Sequence, residues 1–142
     1  HQVNLMRYLL GESYEVTYVD KNSRVMMCQS KSGITCSLEM STYGSERRWE
    51  ESFMVGFDRG YIAAEIPAPL ATHRCSQVTI YRGCGANQVF EKPVMPWTHA
   101  MHQQAINFVN FVKGAAPAPC EAPEGLEDLK IAREFIRKWK GV

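Results

Sequence analysis

Four histidines, five cysteines and three tryptophans carry most of the chemistry open to this chain. His99 and His102 stand at i, i+3 in a stretch of helical periodicity, a spacing that can hold a metal ion. No acidic or thiol partner lies near them in sequence. The competing reading is a pair of surface or substrate-facing imidazoles, and no metal site is expected. His73 and Arg74 fall in a proline-flanked loop, where they could contact a polyol or simply face water. Tyr43 and Trp49, near a strand turn, are the aromatics suited to line a sugar site, whereas Trp97 and Trp139 fit core positions of helices better than a stacking platform.

Cys28, Cys36, Cys75, Cys84 and Cys120 are odd in number and contain no CxxC spacing. That pattern argues against a disulfide framework or a zinc site, and for structural thiols in a reducing, cytoplasmic setting. Gly83-Cys84-Gly85 is too short for a GxGxxG fingerprint and opens no helix, so no dinucleotide site is expected in this chain.

The elements that must position these residues follow from periodicity. His1 to Val16 predicts a helix that runs into a strand through Gly11, with His1, Leu5 and Leu9 at spacing four and Met6 and Leu10 beside them. Tyr14 to Val19 is β-branched and aromatic, as strands favour. Arg24 to Ser30 and Ile34 to Ser41 continue as strands joined by short turns, the latter alternating Ile34, Cys36, Leu38 and Met40 against polar residues. Further strands are predicted over Arg48 to Gly56, Tyr61 to Ile66, Gln77 to Arg82 and Gln88 to Glu91, with a loop from Pro67 to Ser76.

From Pro96 the period changes. Trp97, Met101, Ala105, Phe108 and Val112 form one helical stripe, closed by Lys113 and Gly114. A proline-rich connector leads to a last helix, about Glu124 to Lys140, with Leu129, Ala132, Ile136 and Trp139 as its stripe and Leu126 and Phe135 beside it. The outline is an α+β domain: an open, mainly antiparallel sheet of about six or seven strands with helices packed on one face. Val25/Met27, Met26/Cys28 and Trp49/Phe53 place apolar residues in more than one register, so the other sheet face is also expected to be apolar. Such a face marks a partner surface, and a second copy across a two-fold axis is the expected occupant.

With 142 residues, 45% apolar, 22% charged and a net charge of +1, the chain has the composition of a soluble globular domain. It carries no basic footprint for nucleic acid and no apolar run of membrane-spanning length.

Three phrases in order resemble the C-terminal domain of the Gfo/Idh/MocA family, the glucose–fructose oxidoreductase and inositol dehydrogenase relatives. They are His1-Gln2-Val3-Asn4-Leu5 with Leu9-Leu10-Gly11-Glu12; Val55-Gly56-Phe57-Asp58-Arg59-Gly60-Tyr61-Ile62; and Gln103 to Gly114 leading to Pro117, Glu124-Gly125-Leu126 and the last helix. Together they span nearly the whole chain. The resemblance implies the dihydrodipicolinate-reductase-like C-terminal architecture, and a single substrate-binding and oligomerising domain over residues 1–142 that follows an N-terminal Rossmann domain. It also implies NAD or NADP as coenzyme of that longer enzyme, a sugar-like substrate, and no coenzyme bound or activity in this piece alone.

His1 falls on the family's functional histidine, which lies near the nicotinamide and the reacting hydroxyl; a histidine there suits uptake of the hydroxyl proton. Tyr43, Trp49 and His73 remain the residues assigned to substrate. Glu91-Lys92-Pro93 spells the motif that carries the family's catalytic lysine, but it stands between the last strand and a helix and is read as a loop. Asn4 departs from the aspartate many relatives have. A stand-alone α+β module that dimerises through its sheet, without catalysis, is the alternative.

Overall fold

The computed structural model describes residues 1–40 and 49–142. Its elements are α1 (Gln2–Leu10), β1 (Tyr14–Val19), β2 (Val25–Ser30), β3 (Thr35–Glu39), β4 (Ser52–Phe57), β5 (Gly60–Glu65), β6 (Gln77–Cys84), β7 (Asn87–Glu91), α2 (Ala100–Val112) and α3 (Ala122–Lys140). The seven strands form two antiparallel sheets, β1-β2-β3 and β4-β5-β6-β7. Two compact units follow: α1, β1–β3 and α3 in one, β4–β7 and α2 in the other. The α+β class with antiparallel strands stands as expected.

In the first unit, α1 ends where Gly11 turns left-handed (φ 70°) and its N–H closes onto the Arg7 carbonyl, a conformation glycine adopts without steric cost. Glu12 next to it accepts hydrogen bonds from the Ser32 N–H and hydroxyl in the β2–β3 turn. Bonds from the Ser30 and Ser32 hydroxyls and the Ser32 N–H hold the Glu12 carboxyl below its ordinary range. Asp20 organises the β1–β2 turn in the same way: its carboxylate accepts from the N–H groups of Asn22, Arg24 and Val25.

Val16, Met26 and Cys28 fill the centre of this unit, with Tyr14 and Ile131, and Val3, Met6, Leu10, Val19, Leu38 and Phe135 pack around them. A bulge between Val16 and Tyr18 breaks the β1 alternation. The extra residue turns Tyr18 outward and Val19 inward.

Both helical stripes need correction here. The core side of α1 is Val3, Met6 and Leu10, and Leu9 is exposed. On α3 the buried residue is Ile131 with Phe135 beside it, whereas Leu129 is 68% exposed. The reason is polar. Asp128, one turn before Ile131, pairs with Arg7 at 2.8 Å and accepts from the Asn4 amide at 2.9 Å, and Glu134 accepts from the Val16 N–H at 3.2 Å. These side chains turn their own face of the helix toward α1 and β1. Glu121 and Glu124 form a capping box at the start of α3, which satisfies N–H groups that the helix leaves open. The Asn4 amide is a donor to Asp128; an aspartate there would set two carboxylates against each other.

The second unit is a meander. Phe53, Ala64 and Val78 share one cross-strand row, Val55, Ile62 and Ile80 the next. On the opposite face Tyr61, Tyr81 and Phe90 form a ladder, with ring centroids 5.4 and 4.9 Å apart. Both sheet faces therefore carry apolar side chains. β4 begins at Ser52, later than expected, and Trp49 precedes it. α2 also starts late, because the His99 side chain caps it by accepting from the His102 N–H at 3.2 Å. Trp97 thus lies ahead of the helix and is 75% exposed, and Met101, Phe108 and Val112 are exposed too; the expected stripe is not a buried one.

Gly60 ends the β4–β5 turn at φ 154°, where a Cβ would lie 2.0 Å from the Tyr81 carbonyl oxygen. Gly60→Ala must push β5 off β6. It is expected to lower the unfolding free energy by about 3 kcal/mol, read from urea denaturation; an unchanged midpoint would contradict this packing.

Candidate functional site

The second unit contains a cleft of about 490 Å³ at the end of its sheet where β4 begins and β5 ends. The segment ahead of β4 supplies Trp49, Glu50 and Glu51, and the loop between β5 and β6 supplies His73, Arg74 and Cys75. The two sides are joined by backbone. The ladder continues one step past Ser52 and Glu65, where the Ile66 N–H donates to the Glu51 carbonyl at 2.8 Å. A turn in which the Ala71 N–H donates to the Ala68 carbonyl then brings the loop back toward β6. Pro67 and Pro69 end the strand and fix that departure.

Trp49 is 54% exposed, and its indole N–H donates to the Glu51 carboxylate at 3.0 Å. In extended chain, residues two apart lie on one side, so the carboxylate steadies the ring at the mouth of the cleft. The lining combines one flat aromatic face, carboxylates at Glu51 and Glu65, and donors at His73 and Arg74. An indole face accepts the C–H side of a ring, while carboxylates and guanidinium exchange hydrogen bonds with hydroxyls. The arrangement fits a small polyhydroxylated molecule better than an extended apolar one.

Of the residues assigned from sequence, Trp49 and His73 line this one cleft. Tyr43 lies outside the described residues. His1 stands in the first unit, immediately before α1; it is exposed and its imidazole makes no capping bond. Arg74, named with His73 from the sequence, lines the cleft too, whereas Glu51 and Glu65 were missed. Their proximity depends on the backbone step past Ser52 and on the loop's return, neither of which leaves a periodic signal.

The remaining candidates have structural roles. His99 Nδ1 is the acceptor of the α2 cap, which places any neutral-ring proton on Nε2. Glu91 closes β7 and pairs with Arg82 at 3.3 Å, and Lys92-Pro93 follow as exposed connector. Trp139 donates from its indole N–H to the Lys21 carbonyl at 3.1 Å, and the Lys140 ammonium lies 4.0 Å from its ring centroid. Among the described residues no three His, Cys, Asp or Glu side chains gather as a metal site, and no helix is long and apolar enough to cross a membrane.

No protein-family model matches the chain, and no curated protein matches it. Among solved structures it is similar to an aldose–aldose oxidoreductase from Caulobacter crescentus, crystallised in complex with glycerol, at a TM-score of 0.66 and 16% identity. The likeness covers 98% of this chain and 43% of that one, so the chain spans less than half the length of the enzyme it resembles. At this identity the likeness is one of fold, shared with part of an oxidoreductase, the enzyme class that the three sequence phrases imply.

The His99 cap predicts a simple outcome. His99→Ala should cost about 1 kcal/mol of stability, and His99→Asn, which retains an acceptor, should restore most of it. Equal losses in thermal unfolding for both variants would contradict the cap.

Proposed function

We propose that this chain is the C-terminal substrate-binding and oligomerising domain of an NAD(P)-dependent oxidoreductase acting on a sugar, cyclitol or related polyol. The observation that carries the reading is the fold correspondence with an aldose–aldose oxidoreductase over 98% of the chain. The cleft supports it independently, because its indole, carboxylates and cationic donors suit a ring bearing hydroxyls. In this reading Trp49 stacks on the substrate and His73 bonds a hydroxyl, and Tyr43 is assigned to substrate by its residue type alone. His1, in the other unit, is assigned by the family resemblance alone to taking up the hydroxyl proton or polarising the substrate oxygen. The protein is assigned to the cytoplasm, in keeping with its free thiols at Cys28, Cys36, Cys75 and Cys120.

The residues present do not fit a dinucleotide. Among the described residues every strand pair is antiparallel, whereas the dinucleotide crevice needs parallel strands and a glycine-rich turn into a helix. NAD or NADP is therefore assigned to an N-terminal Rossmann domain of the same polypeptide, which supplies hydride exchange.

Two roles separate in steady-state kinetics of that two-domain enzyme. His1→Ala should lower kcat by about 10²–10⁴-fold and leave the coenzyme Kd unchanged. Trp49→Ala should raise the sugar KM about tenfold, equivalent to about 1.4 kcal/mol of binding, with kcat retained. Wild-type kinetics in both variants would overturn the assignment.

The oligomer is assigned to the face that carries the Tyr61–Tyr81–Phe90 ladder, with exposed Met54 on the same side. Tyr81 lies over Gly83, where a Cβ would be 2.8 Å from its hydroxyl. Sedimentation velocity should show a dimer that Phe90→Glu disperses. A strictly monomeric wild-type protein at high concentration would contradict the surface.

A further inference from the structure

A pair of thiols in the first unit has no part in the proposed oxidoreductase role. Cys28 on β2 and Cys36 on β3 are direct cross-strand partners. In the same ladder the Ser30 N–H donates to the Ile34 carbonyl at 2.9 Å, and the Met40 N–H donates to the Arg24 carbonyl at 2.7 Å. Hydrogen-bonded and non-hydrogen-bonded pairs alternate along antiparallel strands. Steps of two residues from Ser30 opposite Ile34 to Arg24 opposite Met40 thus place Cys28 and Cys36 in a hydrogen-bonded pair.

Such partners have Cα atoms about 5.5 Å apart, inside the span of about 4.4–6.8 Å that a disulfide bridges. Both side chains leave the sheet on the same face, and both thiols are free. We propose that Cys28 and Cys36 are a redox-convertible dithiol, closed by a peroxide into a cross-strand disulfide that staples β2 to β3.

Cys28 is 0% exposed and Cys36 is half-buried, so Cys36 meets the oxidant. Its sulfur, as thiolate, attacks one peroxide oxygen. The O–O bond breaks, one oxygen leaves and is released as water or an alcohol, and the other stays on sulfur as a sulfenic acid. The Cys28 sulfur then attacks the Cys36 sulfur. The S–O bond breaks, the S–S bond forms, and hydroxide leaves as water with the Cys28 proton. The two thiols together lose two electrons, and the peroxide gains them.

Two features set the character of this pair. Burial pushes the Cys28 thiol up to about 12 and raises Cys36 as well, and the Cys36 thiol also donates weakly to the Ile34 carbonyl at 3.7 Å. Thiolate is scarce at neutral pH, and oxidation is slow until peroxide accumulates. In addition, a hydrogen-bonded pair holds its side chains farther apart than a non-hydrogen-bonded one. Closing the bridge draws the strands together, and a strained disulfide is easily reduced. The bridge is a reversible one.

Lys31 separates the two cysteines, so trypsin puts Cys28 in the peptide that begins at Val25 and Cys36 in the one that begins at Ser32. The folded chain is treated with hydrogen peroxide, then unfolded in urea containing N-ethylmaleimide and digested without reductant. The expected product is a covalent pair of these two peptides that disappears with excess reduced glutathione. In Cys36→Ser, and equally in Cys36→Ala, Cys28 should instead carry maleimide. The proposal is overturned if both peptides carry maleimide at a peroxide dose that oxidises exposed Cys120, if either cysteine bridges to another, or if the linked pair resists glutathione.

Discussion

The half-buried ion pair between Arg7 and Asp128 joins two helices from opposite ends of the chain. Its Nη1–Oδ1 distance is 2.8 Å, and the same Arg7 nitrogen donates to the Glu124 carbonyl at 2.9 Å. Asn4 completes the set through the other Asp128 oxygen. Hydrogen bonds to charged groups contribute about 1.5–3 kcal/mol each, and here they fix rotation as well as contact. With Asp128 turned toward α1, Ile131 must enter the core beneath it and Glu134 must reach β1. The position of α1, and of His1 immediately before it, depends on this clasp.

The sheet of the second unit obeys a different constraint. A meander of antiparallel strands has no helix-lined crevice, so its binding chemistry has to come from the strand ends and loops. Gly60 permits the close β5–β6 approach that fixes the register, and the register then extends one backbone bond past Ser52 to bring Glu51 toward the returning loop. Trp49, His73 and Arg74 meet there as a consequence of pairing.

Much of this was legible in the residues. The β1 run of aromatic and β-branched residues has the bounds expected, and Gly11 ends α1 in the conformation its type implies. The succession of strands and short turns and the last helix are also where periodicity puts them. What periodicity missed was polar or irregular. The α3 stripe was misread because Asp128 and Glu134 face inward with partners far away in sequence. The bulge after Val16 breaks a two-residue period that otherwise holds. The α2 start moved from Pro96 because a histidine, not an apolar residue, sets it. In the cleft, Trp49 and His73 stood out by residue type, but Glu51 and Glu65 look like ordinary surface charges until the strands pair.

The proposed role in sugar oxidation by a two-domain enzyme rests on the fold correspondence and on a cleft suited to a polyol. Isotope transfer tests that claim most directly. The polypeptide that joins this domain to a dinucleotide-binding domain would be incubated with an aldose deuterated at C1 and oxidised nicotinamide coenzyme. The account predicts deuterium on the nicotinamide ring of the reduced coenzyme. Label retained on the sugar across aldoses and cyclitols deuterated at the oxidised carbon, with both coenzymes, would contradict it and leave an assembly module without redox chemistry.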